Sequence, residues 1–110
     1  MKNSIARIWA PNIEIERQDP RGSMLGQRDR VTVMQVTIDK GGKMTALSVA
    51  NSSGVTYLDD EAVRTFNKAA PFPFPPRELF KNKEEFTFHF AFHVHVNRGL
   101  KFDFDWSAGG

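Results

Sequence analysis

The clearest pattern in the chain is a strict alternation near its end. Phe86, Phe88, Phe90, Phe92, Val94 and Val96 alternate with Thr87, His89, Ala91, His93, His95 and Asn97. A period of two puts the large apolar groups on one face and the polar ones on the other, which predicts a long strand. After Asn97-Arg98-Gly99 the alternation resumes, with Leu100, Phe102, Phe104 and Trp106 against Lys101, Asp103 and Asp105. A three-residue turn ending in glycine suits a hairpin, so this second segment can pair back onto the first or swap between two chains. The last four residues, Ser107 to Gly110, are expected to fray.

Upstream, Val31 to Asp39 is rich in β-branched residues and places Met34, Val36 and Ile38 on one face, again predicting a strand. Lys40-Gly41-Gly42 is a hairpin turn, and the return strand runs from about Lys43 to Asn51, with Leu47 and Val49 on one face. Ser52-Ser53-Gly54 ends it. A helix follows, with Thr56 as its cap, Asp59, Asp60 and Glu61 near its positive end, and Arg64 and Lys68 toward the other. Leu58, Ala62, Phe66 and Ala69 form its apolar stripe. Pro71 stops that helix, and Phe72-Pro73-Phe74-Pro75-Pro76 forces an extended path on which Phe72 and Phe74 read as core anchors.

At the other end, Ile5, Ile8 and Trp9 make a short helical stripe that Pro11 is expected to terminate. Residues 17–29, with Pro20, Gly22, Gly26 and several charges, read as a loop. The order predicts an α+β fold: an antiparallel sheet of three to four strands with two helices packed on its phenylalanine-rich face. Residues 1–30 then form a leading helix and loop, 31–106 the domain, and 107–110 a disordered tail.

With 110 residues, a quarter of them charged and 40% hydrophobic, the chain is of globular type and long enough for one domain. Its apolar runs are too short to span a membrane, and no apolar segment follows Met1 as in a signal peptide. The absence of cysteine removes disulfides, cysteine zinc sites and thiol catalysis. The net charge of +2 is mild. Residues 1–43 carry +3 and residues 44–110 carry −1. The arginine-rich stretch of Arg17, Arg21, Arg28 and Arg30 is diluted by Asp19 and Asp29 and reads as a solvated loop.

No catalytic constellation emerges. Asp59 and Asp60 are adjacent, so on a helix they point about 100° apart and make no acid–base pair. Ser52-Ser53-Gly54 lacks the glycine pattern of a nucleophile elbow. Lys40-Gly41-Gly42-Lys43 lacks both the spacing of a phosphate loop and the helix that should follow one. His93 and His95 stand about 6.7 Å apart along their strand, a spacing some metal sites use. No neighbouring acid or cysteine completes a set with them or with His89, so they read as solvent-facing sheet histidines. The aromatic strand also suggests an RNA-binding module, but such modules expose their aromatics, and these have helical stripes to cover them. No cofactor is expected.

Taken together, Val36-Thr-Ile-Asp39, Gly42, Ser52-Ser53-Gly54, Leu58-Asp59, Ala62, Ala69-Ala70-Pro71-Phe72-Pro73, Pro75-Pro76, Leu79 and the closing Phe-x-Phe-x-Phe strand resemble the TonB C-terminal domain. The resemblance covers roughly residues 31–96, and Ile5-x-x-Ile8-Trp9-x-Pro11 is similar to the helix that often precedes it. The long 17–30 loop, the three histidines and the Leu100–Trp106 extension depart from the pattern.

The resemblance implies a non-enzymatic domain in the periplasm of Gram-negative bacteria, at the end of an inner-membrane-anchored protein. It implies transmission of force from a proton-driven motor, reached through an N-terminal region, to an outer-membrane receptor or envelope protein segment, and no nucleic acid. A homodimer is a further expected partner state. An edge strand can take a partner segment by β-strand addition. Phe86, Thr87, Phe88, His89, Phe90, Ala91, Phe92, His93, Val94, His95 and Val96 form the candidate edge. The family-motif positions are Asp39, Gly42, Ser53, Gly54, Leu58, Asp59, Pro71, Phe72, Pro73 and Pro76.

Overall fold

The computed structural model describes residues 2–72, 75–97 and 99–108. In chain order these form α1 (Lys2–Ile8), α2 (Pro11–Gln18), β1 (Arg30–Asp39), β2 (Met44–Asn51), α3 (Thr56–Ala69), a short 3-10 turn (Arg77–Leu79), β3 (Glu85–His95) and β4 (Lys101–Ala108). The strands make one open antiparallel sheet in the order β2-β1-β3-β4, so the fold is α+β.

Register explains the core. Met34, Val36 and Ile38 of β1 stand opposite Phe90, Phe88 and Phe86 of β3. Met34, Val36, Phe88 and Phe90 are fully buried, in one cluster with Ile5 of α1, Ala62 and Phe66 of α3, and Phe72 and Phe80. Phe66 meets Phe90 edge-on at 5.1 Å between ring centres and Phe72 at 6.0 Å, the geometry aromatic quadrupoles favour. A second cluster gathers Ile15, Leu25, Val55, Tyr57, Leu58 and Val94.

Pro11 does not close the N-terminal helix; it opens the next one. Proline has no N–H to donate, and the first helical position needs none. The junction is braced by α3. The buried Glu61 carboxylate accepts the Ala10 N–H at 2.7 Å and the Nε and Nη2 of Arg64, whose Nη2 also donates to the Ile8 carbonyl at 2.9 Å. The loop accordingly begins at Asp19, after α2.

Three smaller expectations are also corrected. Val55 is the cap residue of α3 and Thr56 its first residue, with no side-chain capping bond. The β3–β4 connection is Val96 to Leu100, longer than the three-residue turn predicted, because His95 pairs with Lys101. β4 runs on through Ser107 and Ala108, so the final residues do not all fray. Pro73 and Phe74 lie outside the described residues.

A candidate partner-binding strand and its internal cover

β3 is not an edge. β1 pairs with it along ten residues on one side and β4 along eight on the other. Alternation revealed which face each β3 residue takes, and it carried no information about neighbours. The true edges are β2 and β4, and they differ. β2 carries two register shifts against β1, at Val33/Met34 and Thr37/Ile38, where Ala50 and Thr45 find no partner. Such bulges twist an edge and spoil it as a template. The β3–β4 ladder has no such interruption, and residues 101–108 pair with 95–88 step by step.

β4 is nonetheless held lightly. Phe102 and Phe104 are half-buried, and Trp106 is 37% and Leu100 47% exposed. The apolar hold comes from Phe90 against Phe104 at 5.2 Å, Phe88 against Trp106 at 5.9 Å, and Trp9, just past α1, whose ring packs at 4.7 Å from Phe92 and meets Phe102 and Phe104 edge-on at 6.1 and 6.2 Å. Phe88, Phe90 and Phe92 lie beneath, buried, and so cannot stack on bases as the RNA-binding reading requires.

The polar face brings together groups distant in sequence. His93 and His95 stack at 5.9 Å with their rings nearly parallel. His95 Nε2 lies 2.9 Å from Asp103 Oδ2, and since a carboxylate accepts, the ring N–H donates. His93 Nε2 lies 3.6 Å from Asp105, and His95 Nδ1 lies 3.7 Å from Asp29. His89 stands opposite Gln35 on β1 and Ser107 on β4. Asp29 also accepts the N–H groups of Val96 at 2.7 Å and Asn97 at 3.3 Å, and these hold its carboxyl below the usual carboxylate range. The histidines therefore have carboxylate partners that sequence proximity could not supply. Among the described residues no group of three or more His, Asp or Glu is arranged to hold a metal ion.

The family-motif residues sit elsewhere and build the frame. Asp39 Oδ1 accepts the N–H groups of Gly41 and Lys43 at 2.9 Å each. Gly42, at φ +89°, donates to the Asp39 carbonyl and accepts from Phe72 N–H, fastening the segment after α3 to the hairpin. At the β2–α3 junction, Asp59 Oδ1 accepts the amide and hydroxyl of Ser53 at 3.0 and 2.8 Å and the Thr32 hydroxyl at 2.9 Å, and Oδ2 accepts the Ser52 hydroxyl. Burial pushes that carboxyl up, and these hydrogen bonds overcome it and hold it below the usual range. Asp59 thus ties α3 to β1 rather than merely complementing a helix dipole. Leu58 and Phe72 are core residues, and Pro71 and Pro76 are exposed.

Two residues of the charged loop are anchored in the structure rather than solvated, against the expectation from local composition. Arg30 is half-buried and anchored: its guanidinium donates to the carbonyls of Leu25 at 2.9–3.0 Å and Ser53 at 3.1 Å. Asp19 is buried and accepts from Met24 N–H, Leu25 N–H and the Tyr57 hydroxyl. The Asp19-Pro20-x-Gly22 turn signature was the available signal for it.

The described residues thus form an open antiparallel sheet, with helices N-terminal to it and between its hairpin and β3, and a regular, partly exposed strand at one edge. A family model described as TonB C terminal matches residues 2–90, and the chain belongs to that family of envelope energy-transduction domains. No curated protein and no solved structure matches the chain.

Proposed function

We propose that this domain works in the periplasm as the partner-binding end of an inner-membrane-anchored energy transducer. It takes an extended segment of an outer-membrane or envelope protein onto β3 by strand addition, and force from a proton-driven motor passes through that ladder. The observation that carries this reading is the contrast between the two sides of the sheet. The β2 side is bulged twice, whereas the β3 side accepts a strand in unbroken register and holds it without completely burying any side chain of residues 101–107. A backbone ladder suits force transmission, because hydrogen bonds loaded in shear along a strand share the load among many groups. Partner entry on β3 requires β4 to move aside.

The test is photocrosslinking in living cells from single positions in the full-length protein. Reporters at Thr87 and Ala91 on β3 are expected to trap an outer-membrane or envelope protein, and reporters at Thr45 and Ser48 on β2 are not. Crosslinks confined to β2 or to the 17–30 loop would overturn the reading.

A further inference from the structure

The strand that now occupies β3 is itself a template for what replaces it. β4 offers two kinds of side chain in alternation. Phe102, Phe104 and Trp106 stand opposite Val94, Phe92 and Phe90 on the apolar face, where Trp9 covers the first two. Asp103 and Asp105, on the other face, reach diagonally to His95 and His93. The two histidines lie parallel and present two N–H donors in a row, two residues apart, the spacing of successive same-face side chains on an antiparallel neighbour.

From this match we infer that the partner segment is an extended strand in which apolar residues alternate with acidic ones, with two carboxylates spaced two residues apart to meet His93 and His95. β4 acts as an internal copy of that ligand. The inference rests on the proposed strand addition at β3 and adds its side-chain code.

The charges around the histidines agree. From β4 they are faced by Asp103, Asp105 and Lys101, and from the loop before β1 by Asp29. β1 faces them with Val31, Val33 and Gln35, which carry no charge. When β4 leaves, Asp103, Asp105 and Lys101 leave with it. Asp29 remains engaged by the Val96 and Asn97 amides and by one nitrogen of His95, while the other nitrogen of His95 and the ring of His93 lose their partners. A basic segment would bring no acceptor to these donors, and a wholly apolar one would cover them unpaired.

β4 is tethered, so a free peptide competes against an effective concentration of roughly millimolar. The experiment therefore uses the full chain opened in two independent ways. One variant carries Phe102→Ser with Phe104→Ser and loses the hold on Trp9. The other carries Asp103→Lys with Asp105→Lys and loses the carboxylates. Each is titrated with a synthetic peptide copying residues 101–108 and with the same peptide bearing lysine at both acidic positions, while backbone amide shifts are followed. Two exposed histidine–carboxylate contacts of this kind set the expected preference for the acidic peptide at about tenfold, with shifts along residues 86–96. His93→Asn with His95→Asn in the opened chain should erase the preference and leave binding. Equal affinity for both peptides, or a preference for lysine, would overturn the acidic code and leave strand addition standing. Absence of β3 shifts with either peptide in both opened chains would overturn both.

Discussion

The Tyr57 hydroxyl donates to the Asp19 carboxylate at 2.8 Å, closing a buried contact between the first residue after α2 and the first turn of α3. Two amides, from Met24 and Leu25, share the same carboxylate, so the loop is wound around it rather than left to solvent. Burial pushes the tyrosine up, and its bond to Asp19 adds to that shift, so it stays a neutral donor. Tyr57→Phe should cost about 1.5–3 kcal/mol, the range for a hydrogen bond to a charged group. Urea melts of the two proteins will show it as a lower midpoint at unchanged slope.

Acid sensitivity follows from the same carboxylates. Burial raises Asp19, and the amides and Tyr57 more than offset it; Asp59 behaves likewise, and Asp29 is lowered chiefly by the Val96 amide. A carboxyl whose folded value lies below its unfolded one contributes fully above the unfolded value, about pH 4, and that contribution is lost as pH falls through the folded value. Stability should therefore decline below about pH 4. Asp59→Asn should lower stability at neutral pH and flatten that decline. A melting series from pH 7 to pH 2 checks both.

At Gly54 backbone and neighbour act together. Its φ is +85°, and a Cβ there would lie 3.0 Å from an Arg30 guanidinium nitrogen that is bonded to the Ser53 carbonyl. Gly54→Val should destabilise by more than about 1 kcal/mol. Gly54→Ala, with a smaller side chain but the same positive φ, should cost less than valine and more than nothing. Denaturant midpoints rank the three proteins.

Burial separates the aromatic residues into two classes. Phe88→Ala and Phe90→Ala should each cost about 3–5 kcal/mol, because both side chains are fully buried and leave cavities. Trp106→Ala should cost well under half as much, since that ring is 37% exposed at the sheet's rim. Thermal or urea melts of the three variants test the ranking, and equal losses would mean that β4 is as much a part of the core as β3.

The core was legible because period-two patterning states which face a residue takes, and Phe86 to Val94 state it without ambiguity. Edge and interior were not legible, since neighbours depend on whether Leu100 to Trp106 folds back, a long-range choice. The His–Asp pairs were hidden for the same reason: Asp29 and Asp103 meet His95 through register and a turn. Pro11 misled because proline ends one helix and begins another equally well. Arg30 misled because its partner carbonyl, at Ser53, lies 23 residues away while its immediate neighbours are typical of a solvated loop.

The two bulges in β2 also limit how large an assembly this sheet can build. A strand-to-strand contact between copies through β4 would be isologous, each molecule offering the same edge, and would leave only the two bulged β2 edges facing outward. Neither outward edge is a regular template for a third molecule. Growth along the hydrogen-bond direction would therefore stop at two, so the proposed displacement of β4 would not make the chain the seed of a fibre.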